Sequence, residues 1–165
     1  MSTFKVNDMV IHCREGLSKI IDSKMLNDKE YFLVRTQRLS GETIYVPVAS
    51  ADSIIRAILS PKAADELLIY IKSIKKDFNT NTKQRRDAYK KMLSSGEVKD
   101  IAYLYKQLHY YDALGGEENS EIKLGPVDLE MLNYASDMLL DELAVSYQRQ
   151  REDIKAYIEE KMLSL

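Results

Sequence analysis

The 165-residue chain is poor in the residues that build staples and metal cages: it has one cysteine and two histidines. A single thiol excludes an internal disulfide, and Cys13 with His12 and His109 falls short of a Cys/His zinc site. No run of 18 or more apolar residues could span a bilayer, and no early basic-then-apolar stretch resembles a signal peptide. These absences predict a soluble protein of a reducing cytoplasm, with no membrane partner, no metal and no cofactor. A strong charge of either sign is also missing, since 24 basic residues face 26 acidic ones for a net −2. Any nucleic-acid site must therefore be local. No nucleophile–base pairing or metal-ligand spacing can be assembled, so the chain is expected to be no enzyme, with no catalytic residue and no small-molecule substrate. Gly115-Gly116 lacks the strand before it and the helix directly after it that a phosphate-cradling loop requires.

What is present falls into two halves with different periods. From Phe4 to about Arg56 the period is two. The runs 9–12, 19–22, 31–36 and 43–48 are short, rich in β-branched and aromatic residues, and bounded by turn clusters, so they read as antiparallel strands. Asn27-Asp28-Lys29 and Ser40-Gly41-Glu42 suit chain reversals, and Pro47 must end its strand or lie at an edge. Four or five strands in so few residues predict a strongly bent small barrel. His12-Cys13 beside Arg14 reads as a structural strand end rather than a reactive thiol.

After Arg56 the period becomes about 3.6. Ser60-Pro61 offers an N-cap and a first-turn proline before Ala64, Leu67, Leu68, Ile71 and Ile74. A second helix is expected to start after Asn79-Thr80-Asn81-Thr82 and run to Ser94-Ser95-Gly96, with a third over about 97–112 and a long one opened by Pro126 beyond an exposed loop at 115–120. The pattern continues through Ile154, Ile158 and Met162. The fold class is thus α+β in two domains: a small antiparallel β-barrel over 1–58, and a compact all-helical domain of four to five helices over 59–165, its last helix free to project. Tyr103, Tyr105, Tyr110 and Tyr111 spread around one helix and read as core or rim rather than as a base-stacking platform. Asp137, Asp141 and Glu142 read as a solvated face.

Charge is segregated within the helical half. Residues 72–91 hold eight basic residues against Asp77 and Asp87, a balance of +6, whereas residues 113–165 carry −7. The basic stretch could neutralise a few phosphates or be a solvated face balanced by the acidic region.

The opening Phe4-Lys5-Val6-Asn7-Asp8-Met9-Val10-Ile11-His12, the glycine that follows and the later Val46-Pro47 strand resemble the RNA-polymerase-interaction domain shared by CarD-type transcription regulators and the transcription-repair coupling factor. The resemblance continues in order through an Arg-rich helix, Leu93-Ser94-Ser95-Gly96-Glu97-Val98, Ile101-Ala102-x-Leu104-Tyr105, Met131-Leu132-x-x-Ala135 and Leu140-x-Glu142-Leu143-Ala144, covering about residues 3–146. It implies a Tudor-like barrel and a non-enzymatic bacterial regulator. The barrel would dock on the β subunit of RNA polymerase, and the helical domain would touch promoter DNA and stabilise the open complex. Lys24, Arg35 and Tyr45 are the candidate polymerase contacts. Asn81 would cap the DNA-facing helix, with Thr82 beside it and Lys83, Arg85, Arg86, Lys90 and Lys91 as phosphate contacts.

The chain departs from the family where DNA is concerned. Well-studied members place a tryptophan wedge after the asparagine, but here that position is Thr82 and tryptophan is absent. Basic residues of the penultimate family helix give way to Asp128, Glu130 and Asn133. A polymerase-bound adaptor that recruits another protein through its acidic helical half is the alternative.

Overall fold

The computed structural model describes residues 3–37, 41–75, 77–114 and 124–161. Ser40, Lys76, the 115–120 loop and Met162 lie outside them. The chain divides into two compact units, Met1–Ile58 and Leu59–Leu165.

The first unit is a five-stranded antiparallel sheet: β1 (Met9–His12), β2 (Gly16–Leu26), β3 (Lys29–Thr36), β4 (Thr43–Pro47) and β5 (Ile55–Ala57), in the order β4-β3-β2-β1-β5. Between β2 and β3 only Asn27 and Asp28 remain, with φ of 50° and 62°, the left-handed pair that a two-residue hairpin with the strands' own twist demands. Register slips between Ile20 and Asp22, and the extra residue bends the 11-residue β2. With that bend, residues of every strand and of the 3-10 turn Val48–Ser53 reach one core of Val10, Ile20, Phe32, Val34, Val46, Ala51 and Ile55, with Phe4, Ile44, Val48 and Ile54 packed on it. Pro47 is the last residue of β4, an edge strand, where its missing N–H breaks no ladder.

His12 has a role that its place beside Cys13 does not suggest. Its Nδ1 accepts the backbone N–H of Arg14 and of Glu15, each at 3.1 Å, and so ties the turn into β2. Nδ1 must stay unprotonated to accept them, and burial pushes the His12 pKa below its ordinary value of about 6.5, with Arg14 adding to the fall and Glu15 opposing it. Because the folded pKa is the lower one, this stabilisation is complete above pH 6.5 and is lost as pH falls through the folded value. His12→Ala is expected to cost about 1–3 kcal/mol at pH 8 and to reduce the wild-type loss of stability between pH 8 and pH 5, both measured by urea denaturation.

The second unit holds α1 (Pro61–Ser73), α2 (Thr82–Ser95), α3 (Val98–Leu114), α4 (Pro126–Tyr147) and α5 (Arg151–Lys161). Its boundaries are chemical. Ser60 Oγ accepts from Ala63 N, Asn81 Oδ1 accepts from Gln84 N, and Gly96 closes α2 at φ 70°. The third helix starts and ends slightly later than its pattern suggests. Ala64, Leu104, Leu108, Leu140, Leu143 and Ile158 are sealed from solvent, and Tyr105, Tyr110 and Tyr111 join them as buried residues. The last helix does not project: Ile154 and Ile158 are buried, and Arg151 grips Asp137 at 2.6 Å and Asp141 at 2.8 Å on α4. Those two aspartates therefore do not form a free solvated face. Glu142 departs further from that expectation, being 1% exposed and accepting the Leu59 N–H at 3.0 Å.

Candidate functional site

Alternate residues of a strand share a face, so Tyr31, Leu33 and Arg35 of β3 project together. Across the ladder, Lys24 stands opposite Tyr31, Tyr45 opposite Leu33, and both Lys19 and Thr43 opposite Arg35. The three residues singled out from the sequence, Lys24, Arg35 and Tyr45, thus occupy one face, turned away from the Phe32–Val34–Val46 core. Tyr45 is 47% exposed, and its ring leans toward Tyr31 at 6.3 Å between centroids. Tyr31 and Leu33 are half-buried and give the face an apolar centre that Lys19, Lys24 and Arg35 flank with positive charge, with one exposed acid, Asp22, opposite Leu33. An exposed aromatic rimmed by cations is suited to an acidic, partly apolar protein surface. The sequence signal for Tyr31 and Leu33 is that they fall on every second position leading to Arg35.

The second surface is built on α2. Lys83, Asp87, Lys90 and Lys91 recur at three- and four-residue spacing and are exposed, with Thr82 exposed at the first turn. Asn79 orders the entry, its Oδ1 accepting Asn81 N at 2.9 Å. The α1–α2 connection is held from α3. Lys106, fully buried, gives its ammonium to the carbonyls of Ile71 at 2.6 Å and Lys72 at 3.2 Å, closing the C-terminus of α1. Burial lowers its pKa. Gln107, equally buried, donates to Lys75 O and accepts from Asp77 N, while Tyr103 donates to the Asp77 carboxylate.

Two of the proposed phosphate contacts need revision. Arg85 is only 4% exposed and cannot reach a phosphate from where it lies. Its Nε and one terminal nitrogen donate to Asp128 at 3.1 and 2.8 Å, its other terminal nitrogen donates to Asn79 O at 3.0 Å, and the guanidinium carbon lies 4.6 Å from the centre of the Phe78 ring. Asp128, fully buried in the first turn of α4, also accepts Gly125 N at 3.1 Å. Arg86 is half-buried, and its Nε is buried without a hydrogen-bond partner among the described residues. The exposed cations on α2 are Lys83, Lys90 and Lys91, with Asp87 among them.

Burial also reshapes the acidic half. Asp128 and Glu142 lie inside, and Asp137 and Asp141 are tied to Arg151, so among the described residues these four acids do not form a continuous acidic surface. No helix among the described residues is long and apolar enough to cross a membrane.

Comparison with protein-family models assigns each unit. Residues 4–59 match the CarD-like/TRCF RID domain, and residues 66–159 match the CarD C-terminal domain.

Proposed function

From the premise that this chain belongs to the CarD family and is a transcription-related protein that interacts with RNA polymerase, we propose that it is a non-enzymatic bacterial regulator docking on the polymerase β subunit through the outer face of β2, β3 and β4. The helical unit then meets promoter DNA through the lysine face of α2 and modulates the stability of the open complex. The observation that carries this reading is the convergence of Lys24, Arg35 and Tyr45 on one face around Tyr31 and Leu33, in the unit that matches the polymerase-interaction domain.

Tethering supports the weaker half of the reading. Once the first unit is docked, DNA contact becomes effectively intramolecular, so three lysines suffice where free association would be slight. The polymerase-bound adaptor remains the second reading, favoured by Thr82 at the wedge position and by Asp87 within the lysine face. It loses support from the acids now seen to be internal or paired.

Calorimetry of the full chain with a purified polymerase β-subunit lobe tests the docking. Micromolar binding, about −8 kcal/mol, is expected. Lys24→Glu with Arg35→Glu should weaken it at least about tenfold by opposing the charge complementarity; no binding by the wild type overturns the proposal. For DNA, replacing Lys83, Lys90 and Lys91 by glutamine should reduce the salt slope of promoter-complex stabilisation by roughly one for each phosphate no longer neutralised. An unchanged slope, with upstream DNA unprotected in footprints, would favour the adaptor.

A further inference from the structure

We infer that Arg85 and Asp128 form a joint that sets the position of the lysine face of α2, which makes Arg85 a positioning residue and Asp128, an acid, a requirement for binding a polyanion. The inference rests on the reading that this face meets DNA.

Each nitrogen of the guanidinium is committed inside the protein, and the residue is only 4% exposed. Nε and both terminal nitrogens are engaged by Asp128 and Asn79 O, and one side of the cation is covered by the Phe78 ring. Asp128 is matched in turn, receiving two N–H groups from Arg85 and the Gly125 N–H at the start of α4. A fork-to-fork pair of this kind fixes direction as well as distance. Its effect is to fasten the first turn of α2 to the first turn of α4, 43 residues away in sequence. The approach is close enough that a Cβ at position 125 would come within 3.1 Å of an Arg86 terminal nitrogen.

On the other side, Asn79 O and Phe78 bring in the segment that Gln107 and Tyr103 hold against α3. Lys83 lies two residues before Arg85, and Lys90 and Lys91 follow on the same 14-residue helix. A rigid helix held at its first turn carries all three lysines with it. Displacement of that turn therefore changes which phosphates they reach together.

Two explanations of Arg85 make opposite predictions for its partner. If Arg85 acts by charge, Asp128→Asn removes a repelling carboxylate and strengthens DNA binding. If the pair is a joint, Asp128→Asn weakens binding although the protein becomes more positive. The test measures, over a salt series, how far the full-length protein strengthens the hold of RNA polymerase on fluorescein-labelled promoter DNA, read by anisotropy, using variants whose circular dichroism and affinity for polymerase match the wild type. The expected result is that Asp128→Asn and Arg85→Gln each weaken binding roughly threefold or more, about the effect of removing one phosphate-neutralising lysine, and that the double variant is no weaker than either single one. Asp128→Glu keeps the net charge while lengthening the side chain by one methylene. It should weaken binding too, and it decides the matter if Asp128→Asn does not fold.

Wild-type or tighter binding by Asp128→Asn, or wild-type binding by Asp128→Glu, overturns the joint. Absence of any salt-dependent strengthening by the polymerase-bound wild-type protein instead overturns the DNA reading. Amide exchange then judges the joint: faster exchange at residues 82–86 in Asp128→Glu upholds it, and unchanged exchange there overturns it.

Discussion

Asp128→Ala should destabilise the helical unit by about 3–5 kcal/mol, enough to use up much of the stability of a small domain. The loss comes less from the missing attraction than from what stays behind. Arg85, 4% exposed, would keep a full charge with only the Asn79 carbonyl and the Phe78 ring for partners. The Gly125 N–H would also lose its acceptor at the start of α4. The contrasting double substitution, Arg85→Met with Asp128→Leu, removes both charges together and is expected to cost far less, since apolar replacements of buried ion pairs are often neutral or stabilising. Thermal and urea unfolding followed by circular dichroism compares the three proteins. An Asp128→Ala loss below about 1 kcal/mol would mean that Arg85 finds water in the folded state.

Phe32→Ala should remove about 3–5 kcal/mol from the first unit. Phe32 is 5% exposed and stands between Ser23 and Val46 on the core side of the sheet. Truncation leaves a void among Ile20, Val34, Val46 and Ile55, none of which can turn to fill it without leaving the pleat. Its neighbours Tyr31 and Leu33 point the other way and centre the proposed docking face. Loss of the core and loss of polymerase binding should therefore come together, with hydrogen exchange rising across residues 9–57. Tight polymerase binding by a chain with that exchange unprotected would place the docking surface elsewhere.

The periodicities and end signals carried much of this architecture in plain view. Ser60, Asn81, Gly96 and Pro126 mark helix ends by local chemistry, and Asn27-Asp28 and Pro47 mark strand ends in the same way. Because β register is local to each hairpin, the face shared by Lys24, Arg35 and Tyr45 could be approached from spacing alone. The fate of Arg85 could not, because its partner is 43 residues away across a connection that no local rule bridges. A signal existed nonetheless: Arg85, Tyr89 and Met92 share one helical stripe, so Arg85 lies on the apolar side of an otherwise basic helix. Asp128 and Glu142 sit likewise on the stripe of Met131, Ala135, Leu139 and Leu143. A charge at an apolar position of a helix asks for a distant partner, and counting net charge by segment treats it as surface.

Lys106 gives the molecule an internal chemical clock. Its amine is sealed beneath the end of α1 and gives hydrogen bonds to two carbonyls, whereas the amines of Lys83, Lys90 and Lys91 stand in solvent. An acylating reagent should modify those three at once and reach Lys106 only when the helical unit opens. The lag between the two sets of mass increments is then a direct record of how often that unit unfolds, with no dye or engineered label.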